Sequence, residues 1–213
     1  MNTIYIFSGL GADERVLRHI DFGNYRPVFI RWVCVDPRES LAAYAARLLA
    51  QIPEPRPTLL GLSFGGIVAL QVAQLIPVEQ VILIASVKSP KELPWYFRLA
   101  GKLGLHRLLP LSWLKRYHIF SAWLFGAHTA EHRLLLRQVL ADTDPVFLAW
   151  AIRQIVNWEG VPLPGQLLHI HGTADRILPM RYVTVDKQIK DGGHLMTLDK
   201  AEEISTLLQQ QHC

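Results

Sequence analysis

The stretch LLGLSFGG, residues 59–66, places one serine among three glycines at the junction of two apolar segments. Glycine has an entropic cost in any regular element, so this clustering indicates a geometric requirement. TLLGL before the serine predicts a buried strand, and residues from about 64 to 76 predict a helix. Gly61-x-Ser63-x-Gly65 is therefore a strand-to-helix turn, in which the serine can project above a sheet edge while the glycines let the two backbones approach. A plain turn with a bystander serine is the alternative.

Short β-rich runs alternate with helical patterns on both sides of this turn. The predicted strands are 3–7, 28–33, 58–62, 80–86, 166–172 and 182–189. Ser40 is a typical N-cap for a predicted helix that follows it, and a last helix is expected at about 200–210. Continuous apolar strands separated by helices predict an α/β fold with a mostly parallel sheet of about six strands, covered by helices on both faces.

Residues 88–164, called the 88–164 segment below, show no strand pattern. Five of the six tryptophans fall in it: Trp95, Trp113, Trp123, Trp150 and Trp158. Its last helix has Asp144 as the expected N-cap and Pro145 at the first position. We therefore expect an α/β core formed by residues 1–87 and 165–213, with the 88–164 segment inserted as a helical lid.

A serine hydroxyl is a weak nucleophile that needs a base, and the base needs an orienting acid. HGTADRILP follows one predicted strand and offers Asp175, while DGGHLM follows the last predicted strand and offers His194. The carboxyl ends of parallel strands meet at one edge of a sheet, so these side chains are expected to meet Ser63 there. Asp191 and Asp186 are weaker alternatives for the acid, and each residue alone could be an ordinary loop residue.

Acyl chemistry at a serine also needs donors for the developing oxyanion. The loop FSGLGAD follows the first predicted strand, and the backbone N–H of Leu10 is its best candidate donor. The N–H of Phe64, at the start of the helix after the serine, is the expected second donor. A simple strand–helix turn is the alternative interpretation of this loop.

On these residues the sequence resembles the α/β-hydrolase superfamily, in its small lid-bearing serine hydrolase branch. The resemblance covers nearly the whole chain, from the loop at 8–13 to His194. It departs from many members in the Ser8-Gly9 pair, where they carry His-Gly. The resemblance implies an α/β-hydrolase fold and a catalyst that needs no cofactor.

The resemblance implies that the protein cleaves a carboxylic ester or thioester, with an apolar acyl group, through an acyl-enzyme. Ser63 would attack, His194 would move the proton, Asp175 would orient the imidazole, and Leu10 and Phe64 would hold the oxyanion. A serine nucleophile disfavours the dehalogenases and epoxide hydrolases, which use an aspartate. The alternatives are a C–C bond hydrolase or elimination-type lyase with the same triad, or a non-catalytic ligand-binding homologue.

The net charge of +4 is unevenly distributed, because residues 88–141 contain nine Lys or Arg against two acids. One hypothesis is that this apolar and basic lid covers an acyl pocket and favours an anionic head group or transient contact with an acidic membrane surface. The simpler interpretation, which helical patterns usually favour, packs the aromatics on the core and leaves the basic side chains in water. No nucleic-acid-binding module is recognised.

Metal binding and disulfides are not expected. The histidine pairs His128/His132 and His169/His171 have no third ligand at a standard spacing. Cys34 and Cys213 are far apart in the sequence, which indicates a reducing compartment. The N-terminal residues carry no basic leader and only a short apolar run, so we expect neither a signal peptide nor a transmembrane segment, and a cytoplasmic protein. The oligomeric state is left open.

Overall fold

The computed structural model describes residues 2–105, 115–116 and 118–212. The strands are β1 Asn2–Phe7, β2 Tyr25–Phe29, β3 Thr58–Leu62, β4 Gln80–Ile84, β5 Leu167–Gly172 and β6 Lys187–Ile189. They form one sheet in the order β2-β1-β3-β4-β5-β6, and every neighbouring pair is parallel. The prediction of a parallel sheet of about six strands flanked by helices is confirmed.

The α-helices are α1 Leu41–Leu48, α2 Phe64–Val72, α3 Trp95–Lys102, α4 Ile119–Phe125, α5 Ala130–Asp142, α6 Pro145–Val156, α7 Met196–Asp199 and α8 Ala201–Gln209. The expected caps are present, since Ser40 accepts the N–H of Ala43 and Asp144 accepts the N–H of Phe147. Helix α2 ends at Val72, earlier than the predicted residue 76, and the chain continues in tighter turns in which the N–H groups of Gln74 and Leu75 donate to the carbonyls of Gln71 and Val72.

Successive strand residues point to opposite faces of the sheet, and each face has its own apolar cluster. On one face, odd-numbered strand residues such as Phe7 and Leu59 pack with α1, α2 and α6. On the other, even-numbered residues such as Ile6 and Leu60 pack with α5, α7 and α8. The 88–164 segment therefore contributes a helix to each face.

Strand β2 lies at 25–29 and not at the predicted 28–33. Beyond it, two side chains make hydrogen bonds with the backbone. The Gln51 amide accepts the N–H of Arg31 and donates to its carbonyl, and the Tyr44 hydroxyl accepts the N–H of Val33 and donates to its carbonyl. The sequence 28–33 has strand character, but these hydrogen bonds replace those of a sheet neighbour.

Strand β6 is also shorter than predicted, because only residues 187–189 of 182–189 pair with β5. Asp186 accepts the backbone N–H of His169 with its carboxylate, and Thr184 donates its N–H to the Glu92 carboxylate. The backbone N–H of Asp186 still donates to the carbonyl of His169 on β5 (3.0 Å), and side chains make the other bonds of residues 184–186, where a longer strand ladder was expected.

The two ends of the 88–164 segment are tied to the sheet and its flanking helices. Glu92 is 6% exposed, and one carboxylate oxygen accepts the N–H of Lys88 (2.8 Å) while the other accepts that of Thr184 (3.1 Å). At the far end the side chain of Gln74 on the turn after α2 donates to the carbonyl of Pro162 (2.9 Å). No strand occurs in the described parts of the segment.

The aromatic side chains of the 88–164 segment divide into two groups. Phe147 and Trp150 on α6 are buried among Tyr44 and Phe64, as the simpler interpretation expected. That interpretation is wrong for α3 and α4, where Trp95, Phe120 and Trp123 are each more than half exposed.

Some of the residues discussed from the sequence lie outside the part of the chain that the structure describes. Arg107, Trp113 and Cys213 lie outside the described residues. Cys34 is exposed and forms no disulfide. In the part of the chain that is described, no helix has both the length and the apolar character to cross a bilayer.

Candidate active site

Ser63 occupies a strained turn between β3 and α2. Its φ of 53° lies in the left-handed region, which residues other than glycine rarely adopt. A Cβ atom at Gly61 would lie 2.3 Å from the Cα of Gly66, and one at Gly65 would lie 2.1 Å from the carbonyl oxygen of Phe7. Both positions therefore require glycine, because β3, α2 and the end of β1 meet there backbone to backbone.

Three side chains from distant parts of the chain form a row of hydrogen bonds at the carboxyl edge of the sheet. The Ser63 hydroxyl lies 2.9 Å from Nε2 of His194, and Nδ1 of His194 lies 2.7 Å from a carboxylate oxygen of Asp175. A carboxylate only accepts, so Nδ1 carries the proton and Nε2 accepts from the serine. The structure therefore brings the predicted nucleophile, base and acid together, with the tautomer that deprotonation of Ser63 requires.

The Asp175 carboxylate is fully buried and ionised. Burial by itself raises its pKa, but the charge and hydrogen bond of His194, followed by His171 and the Leu178 N–H, outweigh burial and hold the pKa below its usual value. Its second oxygen accepts the N–H groups of Ile177 and Leu178 at 2.8 and 2.9 Å. The Asp175 carboxylate is thus held in one orientation from both sides.

His171 supports this loop, as the sequence suggested. Its Nε2 donates to the carbonyl of Leu178 at 2.8 Å and lies 3.4 Å from the Asp175 carboxylate. Burial lowers the pKa of His171, so the ring is neutral and acts as a donor at that nitrogen. The alternative acids lie elsewhere: Asp186 is bonded to β5, and Asp191 stands at the turn after β6 with a φ of 57°.

The loop after β1 lies beside the serine. A Cβ at Gly9 would be 3.6 Å from the Cβ of Ser63, and Leu10 lines the same cavity as the serine. Phe64 is the first residue of α2, so its N–H has no partner within the helix. Neither Leu10 nor Phe64 donates its N–H to another described residue. Both predicted oxyanion donors are therefore free at this edge.

A cavity of about 720 Å³ opens at Ser63. This volume is in the range of small-molecule sites. Its walls come from the strand-end loops and from α3 to α6, and they are almost entirely aliphatic or aromatic. The polar exceptions are Ser63, Ser86, Lys115, Thr143, Arg176 and His194.

Sequence reasoning missed two residues of this site. Ser86, two residues after β4, donates from Oγ to the carbonyl oxygen of Ser63 (2.6 Å) and so holds the strained turn. Arg176 follows the acid directly, donates to the carbonyl of Trp123 on α4 (2.6 Å) and lies 4.5 Å from the centre of its ring. The signal that could have pointed to Ser86 is its position just after β4, the strand that pairs with β3.

Helix α4 is also bonded beside the base. The backbone N–H of Leu195 donates to the carbonyl of Phe125 at 3.1 Å, and the Phe125 ring packs edge-on to His194. A helix of the 88–164 segment is therefore attached next to both Asp175 and His194.

The described residues contain no group of three or more His, Cys, Asp or Glu side chains that could hold a metal ion. The His169 ring lies between the carbonyls of Ser86 and Thr184, at 3.1 and 3.2 Å. His132 is buried on α5, while His128 is exposed.

A parallel sheet with a serine turn after β3 and a histidine after its last strand is the architecture of an α/β hydrolase. The chain belongs to the alpha/beta hydrolase family, whose model matches residues 7–207. No curated protein matches the sequence.

Solved structures with the same fold include proteins of several activities. An esterase from Thermogutta terrifontis superposes with a TM-score of 0.68 at 19% identity, covering 99% of this chain and 89% of that one. A bromoperoxidase from Bacillus anthracis gives 0.70 at 17% identity, with 97% and 90% covered. A meta-cleavage product hydrolase from Pseudomonas fluorescens gives 0.69 at 13% identity, with 99% and 90% covered. At these identities the likeness shows the fold alone.

Proposed function

We propose that the protein is a serine hydrolase that cleaves a carboxylic ester or thioester with an apolar acyl group. The observation that carries this proposal is the row of hydrogen bonds from Ser63 through His194 to Asp175, whose hydroxyl end opens into an apolar cavity. The esterase among the structural neighbours is compatible with this reaction.

In the proposed reaction, the Ser63 oxygen attacks the carbonyl carbon while Nε2 of His194 takes the hydroxyl proton. The N–H groups of Leu10 and Phe64 stabilise the negative charge on the carbonyl oxygen. His194 then returns the proton to the leaving alcohol or thiol. In the second half a water attacks the acyl-enzyme with the same proton transfers, and the carboxylic acid is released. Asp175 stabilises the imidazolium in both halves.

The division into a core and a lid belongs to the same proposal. Residues 1–87 and 165–213 would be the core and the 88–164 segment the lid, with α3 and α4 as its covering part, because they line the cavity and carry exposed side chains. Lys115 and Arg176 line the cavity, which supports the prediction of an anionic head group. A KM for fatty acyl-CoA that does not change with salt would contradict this last point.

The test is labelling with a fluorophosphonate probe, followed by a panel of p-nitrophenyl esters of increasing chain length. We expect labelling of the wild type and none of Ser63→Ala, with kcat/KM rising with chain length. A folded protein that stays unlabelled would support the non-catalytic alternative. Labelling without an acyl-enzyme burst on any ester would support the C–C hydrolase or lyase.

A further inference from the structure

The exposed apolar side chains of this protein are concentrated in one region. Of the twelve large apolar side chains that are exposed in the described residues, eight lie between positions 95 and 123. They are Trp95, Tyr96, Leu99, Leu103, Leu105, Ile119, Phe120 and Trp123. Single exposed apolar residues are ordinary, but a cluster of this kind marks an interaction surface. We call these eight residues, with the cations among them, the 95–123 face.

On α3 the exposed residues form one stripe. Trp95, Leu99 and Leu103 follow each other at four-residue spacing, with Arg98 and Lys102 between them. The opposite side of the helix packs against α6, where a Cβ at Gly101 would lie 2.3 Å from the carbonyl oxygen of Val156. The apolar stripe therefore faces away from the fold.

The charge of this region has one sign. The sequence contains no Asp or Glu from residue 93 to 130. Arg98, Lys102 and Arg116 are exposed, Lys115 is half-buried, and none of the four forms an ion pair with a described residue. An apolar surface edged with unpaired cations is complementary to a surface that is apolar inside and anionic outside.

The 95–123 face is continuous with the candidate active site. Tyr96, Leu105 and Phe120 are exposed and at the same time line the cavity at Ser63. An apolar molecule entering from this side would pass from one apolar surface to another, and Lys115 is the cation of the face that also lines the cavity.

We propose that the 95–123 face docks on the surface of an anionic lipid bilayer, and that the cavity takes its substrate from the lipid side. Tryptophan and tyrosine favour the bilayer interface, and each Lys or Arg near an anionic surface strengthens binding by roughly fivefold. A second copy of the chain is a poorer occupant, because a two-fold contact would bring the same four cations together without counter-charges. The docking step stands independently of the proposed reaction, while the delivery of substrate depends on it.

The test is sedimentation of the full chain with vesicles of phosphatidylcholine alone or mixed with phosphatidylglycerol. We expect binding to the mixed vesicles, weak binding to neutral ones, and release by salt. Arg98→Gln combined with Lys102→Gln should weaken binding to the mixed vesicles roughly 30-fold. Trp95→Ser combined with Ile119→Ser should weaken binding to both kinds of vesicle.

Matched controls change exposed cations and an exposed apolar side chain elsewhere on the surface. Lys187 and Lys190 are exposed near the edge strand β6, and Leu163 is 49% exposed. Substituting the two lysines by Gln, or Leu163 by Ser, should leave vesicle binding unchanged. Ser63→Ala should also bind normally, which separates docking from the reaction.

Contrary results are equally clear. Equal binding to neutral and anionic vesicles, or equal loss in the control variants, would overturn the proposal. The proposal would also be overturned if the protein formed a dimer without lipid and the substitutions at Trp95 and Ile119 dissociated that dimer. The Arg98/Lys102 and Trp95/Ile119 variants should hydrolyse a water-soluble ester at the wild-type rate if the proposed function holds. Failure of docking and failure of the reaction are therefore measured in separate assays.

Discussion

Replacing Gly65 by alanine tests the close backbone contact on which the serine turn depends. The new Cβ would lie 2.1 Å from the carbonyl oxygen of Phe7 and 2.4 Å from that of Ser8. These oxygens belong to the last residue of β1 and the residue after it, and they cannot move aside as a flexible side chain can, because Phe7 pairs with Gly61 in the sheet. Overpacking typically costs 1–3 kcal/mol, and we expect about 3 kcal/mol here.

The same substitution should also impair hydrolysis. Phe7 and Ser8 lead directly to Leu10, so moving them displaces a proposed oxyanion donor, whose loss costs roughly 100-fold in kcat. The assays are urea unfolding followed by circular dichroism and kcat on a short p-nitrophenyl ester. Gly165→Ala is the control, because nothing lies within 4 Å of its Cβ position. If Gly65→Ala unfolds at the same urea concentration as this control, the argument from close packing is refuted.

Three further predictions concern groups around the site. Asp175→Asn should lower kcat on esters by about 10⁴-fold while circular dichroism still shows a folded protein, because an amide favours the wrong tautomer of His194. Burial, followed by repulsion from the charge that His171 carries when it is protonated, lowers the pKa of His169 from 6.5 to about 4, so the unfolded chain binds the extra proton between these values. The free energy of unfolding should therefore fall by about 3 kcal/mol as pH drops from 6.5 to 4, and His169→Gln should lose this part of the pH dependence in urea titrations. Arg176→Met should speed amide hydrogen exchange in α4 roughly tenfold, because a hydrogen bond to a charged group is lost.

Each of these has a result that would contradict it. Full activity of Asp175→Asn would mean that the carboxylate only fixes the loop. An unchanged pH dependence in His169→Gln would show that its ring does not titrate on unfolding. Arg181→Met is the control for exchange, because Arg181 also lies over an aromatic ring, that of Tyr182. Equal exchange in the Arg176 and Arg181 variants would show that α4 is held by other contacts.

The interior of the sheet could be predicted from local sequence, and its edges could not. β3 and β4 are continuous apolar runs buried on both faces, so their positions follow from hydrophobicity alone. At β2 and β6 the strand limits depend on side chains far along the chain, such as Gln51 and Glu92, which bond the backbone in place of a neighbouring strand. No local pattern encodes those partners.

The same distinction applies to the candidate site. The meeting of Ser63, Asp175 and His194 was predictable because parallel strands end at one edge, while their catalytic roles stay a prediction. The position of Ser86 after β4 indicated this edge of the sheet, but the bonds of Ser86 and Arg176 could not be predicted, because both donate to backbone carbonyls whose directions depend on the folded loops. The exposure of the aromatic residues on α3 could not be predicted either. Helical periodicity shows that apolar residues share one side of a helix, but it does not show whether another element covers that side.

The bonds of Glu92 have a consequence for protein engineering. Its two carboxylate oxygens accept the N–H groups of Lys88 and Thr184, and Gln74 donates to Pro162, so the outermost residues of the 88–164 segment are bonded to the rest of the fold. A chimera that exchanges the intervening helices for those of a relative should therefore be spliced inside these anchors, after residue 93 and before residue 161. Splicing at 88 and 164 would remove Glu92 and Pro162, so the exchanged helices would lack the hydrogen bonds that attach both ends of the segment to the rest of the fold.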